Sequence, residues 1–361
     1  MAMHLKQLTL TQYKNFSSKT FDFDPNINCF TGDNGVGKSN ILDAIYHLSF
    51  CKSYFNPISL QNIQIGNDFF VIMGLYEKNL REEKIICSFK KGQKKIVKRN
   101  GKAYKKISKH IGLIPTVIIS PADSDLIMDG SNTRRKFIDS VISQTDLFFL
   151  NNLLEYNKIL TQRNSLLKYF ALNNTYDSNT LQVYNDQLVK RSQIIYKKRK
   201  AFMDNFIPVF SKIYKNISQG NESVSLSYVS QLEHESHSNL LNESLGKDKI
   251  FQYTTTGPHK DDIILLLNDK PIKKFGSQGQ QKTFLIALKL AQFDFLENLN
   301  GYSPILLFDD AFDKLDQKRV TQILSLVDKN YFGQIFITDT HEERILKALK
   351  KIKSSYEIFR L

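Results

Sequence analysis

Residues Cys29 to Ser39 read CFTGDNGVGKS, and this stretch limits the possible folds more tightly than any other. Gly32, Gly35, Gly37, Lys38 and Ser39 satisfy the pattern G-x-x-x-x-G-K-[ST] in full. Asp33, Asn34 and Val36 fill the loop, and Asn40 follows it. The flanks have the required form: an apolar strand from Ile27 to Phe30 enters, and the amphipathic run SNILDAIYHLSF leaves as a helix. Glycines let the backbone curl until successive N–H groups face one anion, and the helix N-terminus adds partial positive charge. Lys38 is then placed for the β- and γ-phosphates, and the Ser39 hydroxyl for Mg2+. Gly32 to Asn40 are therefore the predicted nucleotide-binding residues, with ATP and Mg2+ as the expected cofactors.

At 361 residues the chain exceeds one ordinary domain, so two lobes are expected. Its net charge of +14 favours a polyanionic partner over a protein merely kept soluble by lysine. Cys29, Cys51 and Cys87 have no metal-like spacing and suggest no disulfide framework, which fits a reducing compartment. The opening residues MAMHLKQLTL lack the apolar run of a signal peptide, and no segment has the length of a membrane span. A cytoplasmic protein without a membrane partner is the expectation.

Apolar and polar residues alternate from His4 to Tyr13, as in a strand, and Thr20 to Phe23 reads as another. Two strand-like runs lie between Phe69 and Phe89. A hairpin is predicted from Lys94 to Tyr104, turning at Asn100-Gly101. After the buried strand ending at Ser120 the character changes: apolar residues recur at helical spacing from Thr133 to about Ile217. Strands return after residue 219, followed by a helix and a final alternation of helix and strand. The predicted fold class is α/β: a P-loop nucleotide lobe with a mainly helical second lobe inserted between its two motif sets. With the motifs at Ser277 to Gln281 and Ser303 to Asp310 it resembles an ABC-type ATPase head. Residues 1–120 and 301–361 are assigned to the nucleotide lobe, and residues 121–300 to the helical lobe.

Two later motifs define the kind of nucleotide site. Ser303 to Asp310, SPILLFDD, is an apolar strand ending in two acids, the Walker B pattern. A buried parallel strand brings such an end beside a phosphate loop. Asp309 is predicted to share the metal with Ser39, and Asp310 to act with Lys38 in catalysis, as the general base on water. The bland alternative is an acid pair that only ends a strand. Ser277, Gln278, Gly279, Gln280 and Gln281 stand where ABC-type ATPases carry L-S-G-G-Q, about 30 residues before the acids. In that class the signature contacts the γ-phosphate held by a second subunit; as a bare string it is also a plain helix cap. Asp313-Lys314-Leu315-Asp316 matches the D-loop. Asp339 and His341 are both candidates for the γ-phosphate sensor, and Asp123 for the Q-loop position.

The strings GDNGVGKSNILDAIYHLS, SPADSDLI, RRKFID, YNKILTQRNSLLK, TTGPHKDDI, FGSQGQQKT and LLFDDAFDKLD together make the chain resemble the bacterial RecF family almost end to end. The related SMC and Rad50 heads carry long coiled coils between their motif sets, whereas the insertion here is short and lacks heptads. The resemblance implies DNA replication, recombinational repair, replication restart and the SOS response. It implies a weak, DNA-dependent ATPase, and an ATP-driven homodimer on single-stranded and gapped duplex DNA. It also implies RecO and RecR type partners and indirect help to RecA loading. Slow hydrolysis would reset the dimer. In related heads a basic residue at the position of Lys14 commonly reaches the nucleotide.

Between Lys78 and Lys109 thirteen basic residues face only two acids, Glu82 and Glu83. Lys90, Lys91, Lys94, Lys95, Lys98, Arg99, Lys102, Lys105 and Lys106 are the candidate DNA contacts, since alternate hairpin positions share a face that can track phosphates. The alternative is a solvated edge hairpin whose lysines oppose aggregation. A second basic run, Lys190 to Lys200, reads as a solvated helix face, and His259 and Asp261 as hydrogen-bonded structural residues. Two rival classes remain: a transporter ATPase, which the lysine-rich lobe does not suit, and a DNA-binding scaffold that does not hydrolyse its nucleotide.

Overall fold

The structure, a computed structural model, describes residues 3–78, 81–218, 222–310, 333–350 and 354–361. The D-loop, Asp313 to Asp316, lies outside the described residues. The chain divides into two compact units, Met1–Asp123 with Lys282–Leu361, and Ser124–Gln281.

The first unit holds two sheets. β1 (Met3–Tyr13), β2 (Phe16–Asp22), β4 (Phe69–Lys78), β5 (Arg81–Lys90), β6 (Ile96–Arg99) and β7 (Lys102–Ala103) form an antiparallel sheet in the order β2-β1-β4-β5-β6-β7. β1 alternates buried and half-buried residues, as a strand with one core face must. β2 begins earlier than the residue pattern predicts, because the chain reverses at Lys14-Asn15 and Phe16 already pairs with Tyr13. The Asn100-Gly101 turn joins β6 to β7 with φ of 48° and 81°, the left-handed pair that suits a tight hairpin.

The second sheet is wholly parallel. It comprises β3 (Ile27–Thr31), β8 (Thr116–Ile119), β12 (Ile305–Phe308), β13 (Ile335–Asp339) and β14 (Tyr356–Arg360), in the order β14-β3-β13-β12-β8. Every residue of β3, β8, β12 and β13 is buried, which is why these strands read as unbroken apolar runs. The helix Lys38–Phe50 packs against strands of both sheets. From Ile41 onward all its residues are buried, so the expected amphipathic helix has no solvent face. Its polar residues Asp43 and His47 are internal. At Gly74 of β4 a Cβ would stand 2.6 Å from Leu48 Cδ1, so glycine there admits the helix.

The second unit is built on a helical hairpin, Leu147–Asn173 and Ser178–Ser218, joined by a short turn. β9 (Val224–Val229), β10 (Asp262–Leu267) and β11 (Lys270–Pro271) add a small antiparallel sheet in the order β11-β10-β9. The boundary falls at residue 281, not 300. Most of the helix Gln278–Asn300 belongs to the first unit, where its Lys289 pairs with buried Asp123 at 2.6 Å. Among the described residues no helix is long and apolar enough to cross a membrane.

Candidate nucleotide-binding site

β3 delivers the chain into the phosphate loop at the C-terminal edge of the parallel sheet, with β13 beside it and β12 next along. Gly32, Gly35 and Gly37 all take positive φ, of 145°, 86° and 111°. Gly37 needs its missing side chain as well as its φ: a Cβ there would lie 2.4 Å from Asn15 Nδ2. Asn15 is a residue that motif reading passed over. Its Nδ2 donates to the Val36 carbonyl at 2.9 Å, and its Oδ1 accepts from Asn40 Nδ2 at 2.8 Å. It therefore ties the β1–β2 turn to both flanks of Gly37.

Lys38 is 4% exposed, and its ammonium donates to the Gly32 and Asp33 carbonyls, each at 2.8 Å. The charge is thus held across the mouth of the loop, against oxygens that an incoming phosphate would exchange for stronger anionic acceptors. Ser39 follows in the first turn of the helix, and its hydroxyl favours the charged form of Asp309.

Asp309 lies just beyond β12, 4% exposed. Its backbone N–H donates to the Ile119 carbonyl at 2.8 Å, and Thr338 Oγ1 donates to its Oδ1 at 3.0 Å. Burial raises its pKa, helped by the neighbouring charges of Asp310 and Asp43, while hydrogen bonds from Ser39 and Thr338 oppose the rise. A carboxylate in that position gains from a divalent cation. The Ser39 hydroxyl and the Asp309 carboxylate are two hard oxygen ligands of the kind Mg2+ takes, and they are the residues that would hold it here. Among the described residues no group of three His, Cys, Asp or Glu side chains forms a self-sufficient metal cage. Asp310 has φ 44°, and its N–H donates to Thr338 Oγ1 at 2.9 Å. One threonine on β13 therefore holds the Asp309 carboxylate and the Asp310 backbone. Nothing in the residue pattern singles it out.

Other candidates are committed elsewhere. Lys14 forms a buried pair with Asp43 at 2.5 Å instead of standing free in the loop. Asp43 also accepts from Tyr13 at 3.0 Å, from Ser53 at 2.5 Å and from the Tyr54 N–H at 2.6 Å. Asp123 accepts from Tyr54 Oη at 2.5 Å and from the Ser120 N–H at 2.8 Å. Asp339 is buried at the end of β13 and accepts from the His341 N–H at 2.8 Å, while the His341 side chain is exposed.

In the second unit, Ser277 and Gln280 form a reciprocal capping box at the start of the helix Gln278–Asn300. The Ser277 N–H donates to Gln280 Oε1 at 2.7 Å, and the Gln280 N–H to Ser277 Oγ at 3.3 Å. Gln280 Nε2 donates to Glu222 at 2.8 Å, and Gln281 Nε2 to the Gly276 carbonyl at 3.0 Å. Ser277 and Gln278 are exposed, whereas Gly279, Gln280 and Gln281 are half-buried. His259 sits between Tyr156 Oη at 2.7 Å and the Thr254 carbonyl at 2.9 Å, and Asp261 pairs with Arg199 at 2.8 Å.

Of the nine hairpin candidates, Lys90, Lys91, Lys94, Lys98, Lys102, Lys105 and Lys106 are exposed, with no ion-pair partner among the described residues. Lys95 is half-buried and caps the Cys51 carbonyl at 2.7 Å, and Arg99 pairs with Glu83 at 2.5 Å. These two serve the fold of the sheet.

The family model described as "RecF/RecN/SMC N terminal domain" matches residues 4–359. The DNA replication and repair protein RecF of Flavobacterium johnsoniae is 57% identical over 99% of this chain and 100% of its own length. The protein of the same name from Phocaeicola vulgatus is 49% identical over 99% of this chain and 96% of its own. A solved structure of the recombination mediator protein RecF-ATPrS in the RecFOR pathway gives a TM-score of 0.89 at 30% identity, covering 100% of this chain and 96% of that one. The Smc head domain of Pyrococcus furiosus shares the fold at 16% identity, with a TM-score of 0.56, covering 96% of this chain and 92% of that one. With its phosphate loop, its paired acids and its match over nearly the whole length, the chain belongs to the RecF family of bacterial DNA replication and repair proteins, built on an SMC-like ABC ATPase head.

Proposed function

We propose that this chain is an ATP-dependent DNA-binding switch that closes as a homodimer on single-stranded and gapped duplex DNA. The observation that carries this reading is the parallel sheet that delivers the Lys38 loop from β3 and Asp309 from β12 to one edge, where the Ser39 hydroxyl favours the charged form of Asp309. It joins the two motif sets, 270 residues apart in the chain, into one phosphate-and-metal half-site. Gly32 to Asn40 bind the phosphates, Lys38 neutralises the γ-phosphate, and Ser39 and Asp309 hold Mg2+. Bound there, Mg2+ offsets the charge that develops on the phosphate oxygens. Asp310, whose backbone N–H bonds Thr338, accepts the proton of the attacking water.

A half-site needs a partner. The exposed Ser277-Gln278 at a capped helix start offers hydroxyl and backbone N–H groups to the nucleotide of a second copy. Hydrolysis then separates the copies and is slow, because the chemistry serves release more than turnover. The seven exposed hairpin lysines supply sequence-independent phosphate contacts. Work in recombinational repair, replication restart and the SOS response, with RecO and RecR type proteins and RecA loading, is what the resemblance to RecF implies, and relatives named for DNA replication and repair and for the RecFOR pathway support it. A cytoplasmic location fits that work.

Sedimentation with and without ATP, and with a gapped duplex, tests the switch. Wild-type protein is expected to shift to a dimer with ATP. Lys38→Ala is expected to bind no ATP and stay unshifted, and Ser277→Arg to bind ATP as a monomer. Tight ATP binding by Lys38→Ala would overturn the phosphate-loop assignment, and normal dimerisation of Ser277→Arg would overturn the signature.

A further inference from the structure

The second unit carries an exposed aromatic surface that the nucleotide switch does not use. Near the turn of the helical hairpin, Tyr176, Ile250, Phe251 and Tyr253 are 46%, 77%, 55% and 42% exposed. A soluble chain does not need large apolar side chains clustered in water, so such a group marks a contact surface. Gln252, in the left-handed region at φ 58°, turns the backbone so that the Phe251 and Tyr253 rings stack, with centroids 5.8 Å apart and planes at 26°. Lys249 lies over the Tyr176 ring at 3.4 Å, and Lys260 over Tyr253 at 4.9 Å.

The pair is held rigid from beneath. Asp248, fully buried, binds Arg163 at 2.7 Å and accepts from the Thr255 N–H at 2.8 Å. The Thr254 N–H donates to Asn164 Oδ1 at 2.8 Å. These buried contacts flank the rings on both sides in sequence, so their placement is set before any ligand arrives. Charge points the same way. Asp248 is the sole acid from residue 244 to 260, and it is spent on Arg163, while Lys247, Lys249 and Lys260 are exposed.

We propose that this surface is a stacking platform for single-stranded DNA, with Phe251 and Tyr253 receiving unpaired bases and Lys249 and Lys260 the adjoining phosphates. Rings that stack and cations that neutralise are the two contacts that sequence-independent single-strand binders combine. A duplex offers the phosphates but keeps its base faces stacked inside. The platform therefore distinguishes the single-stranded part of a gap from its flanks, which the hairpin lysines do not. The inference rests on the DNA-binding reading above and adds a second, base-dependent contact to it.

Fluorescence anisotropy with a short labelled oligothymidylate, the same chain made abasic, and a duplex tests the platform. Wild-type protein is expected to prefer the thymidylate to the abasic chain by about tenfold or more, as stacking on two rings implies. Phe251→Leu with Tyr253→Leu keeps the surface apolar and is expected to remove that preference, leaving duplex affinity and salt slope unchanged. Phe251→Tyr with Tyr253→Phe is expected to retain it. Thymidylate binding by the leucine variant equal to wild type, or a wild type indifferent to bases, overturns the platform. In either case duplex binding that depends on the hairpin lysines leaves the wider reading standing. A wild-type protein that binds none of the three probes sinks both.

Discussion

Two stretches of this chain are almost equally rich in lysine and arginine, and the fold uses them in opposite ways. In the β5–β7 hairpin, seven exposed lysines between Lys90 and Lys106 have no ion-pair partner among the described residues. In the helix Ser178–Ser218, the run from Lys190 to Lys200 is largely neutralised. Arg191 binds Glu155, Lys198 binds Asp146 at 2.7 Å and Lys200 binds Glu233 at 3.2 Å. Arg199 is buried between Asp139 at 2.9 Å and Asp261 at 2.8 Å. The expected solvated helix face is in part an internal strut. A basic run therefore has meaning for a polyanion only once its acids have been located. Here they lie 33 to 62 residues away in the chain.

The comparison is broken most forcefully at Arg199. Its guanidinium donates to Asp139, Asp261 and the Pro258 carbonyl, the last at 2.7 Å. Arg199→Ala leaves Asp261 buried without its cation. The expected loss is about 3–5 kcal/mol, the usual cost of stripping one partner from a buried pair. The urea midpoint measures it. A shift worth less than about 1 kcal/mol would mean that Arg199 belongs with the dispensable surface charges.

The same buried region predicts a pH dependence that the hairpin lysines cannot produce. His237 is 4% exposed, with Nδ1 2.8 Å from Ser192 Oγ and Nε2 3.3 Å from the Thr256 carbonyl. Burial is the main cause that lowers its pKa from 6.5 to about 4, and the Arg163 charge adds to it. The folded protein therefore holds His237 neutral where the unfolded chain binds a proton. Stability is full above pH 6.5 and falls as pH drops from 6.5 toward 4. The loss from this residue is about 3 kcal/mol. Urea midpoints across that window should fall in wild type and fall less steeply in His237→Gln. Equal slopes would show that His237 is protonated in the native state.

These contrasts also mark how far the residue pattern can be read. The phosphate loop was legible because its chemistry fixes both residue type and spacing within eight residues, Gly32 to Ser39. The buried strands were legible because parallel neighbours demand apolar runs, and the Asn100-Gly101 turn because few residue pairs tolerate two positive φ angles. Asn15 and Thr338 were not. Asn15 bonds Val36 and Asn40, 21 and 25 residues away, Thr338 bonds Asp310 and Asp309, 28 and 29 away, and neither belongs to a spaced motif. Asp43, inside the predicted amphipathic helix, is the internal acceptor for Lys14, Tyr13, Ser53 and Tyr54. The unit boundary was missed for a related reason: the helix Gln278–Asn300 runs through it without a break in pattern.

The smallest expected effect on stability is at the hairpin, where the largest effect on DNA is expected. Replacing Lys90, Lys94, Lys98 and Lys102 together by glutamine removes four exposed charges, so stability should move by no more than about 0.5 kcal/mol per site. If each lysine meets a phosphate, the slope of log affinity against log salt falls by about 0.9 per lysine, and affinity drops most at low salt. The control is Lys200→Gln. That lysine already holds Glu233, so its loss should leave both stability and the salt slope nearly unchanged. Titrating a duplex at several salt concentrations compares the two variants directly. A salt slope altered by Lys200→Gln and unmoved by the hairpin variant would reverse the assignment and place the DNA-facing charge on the helix.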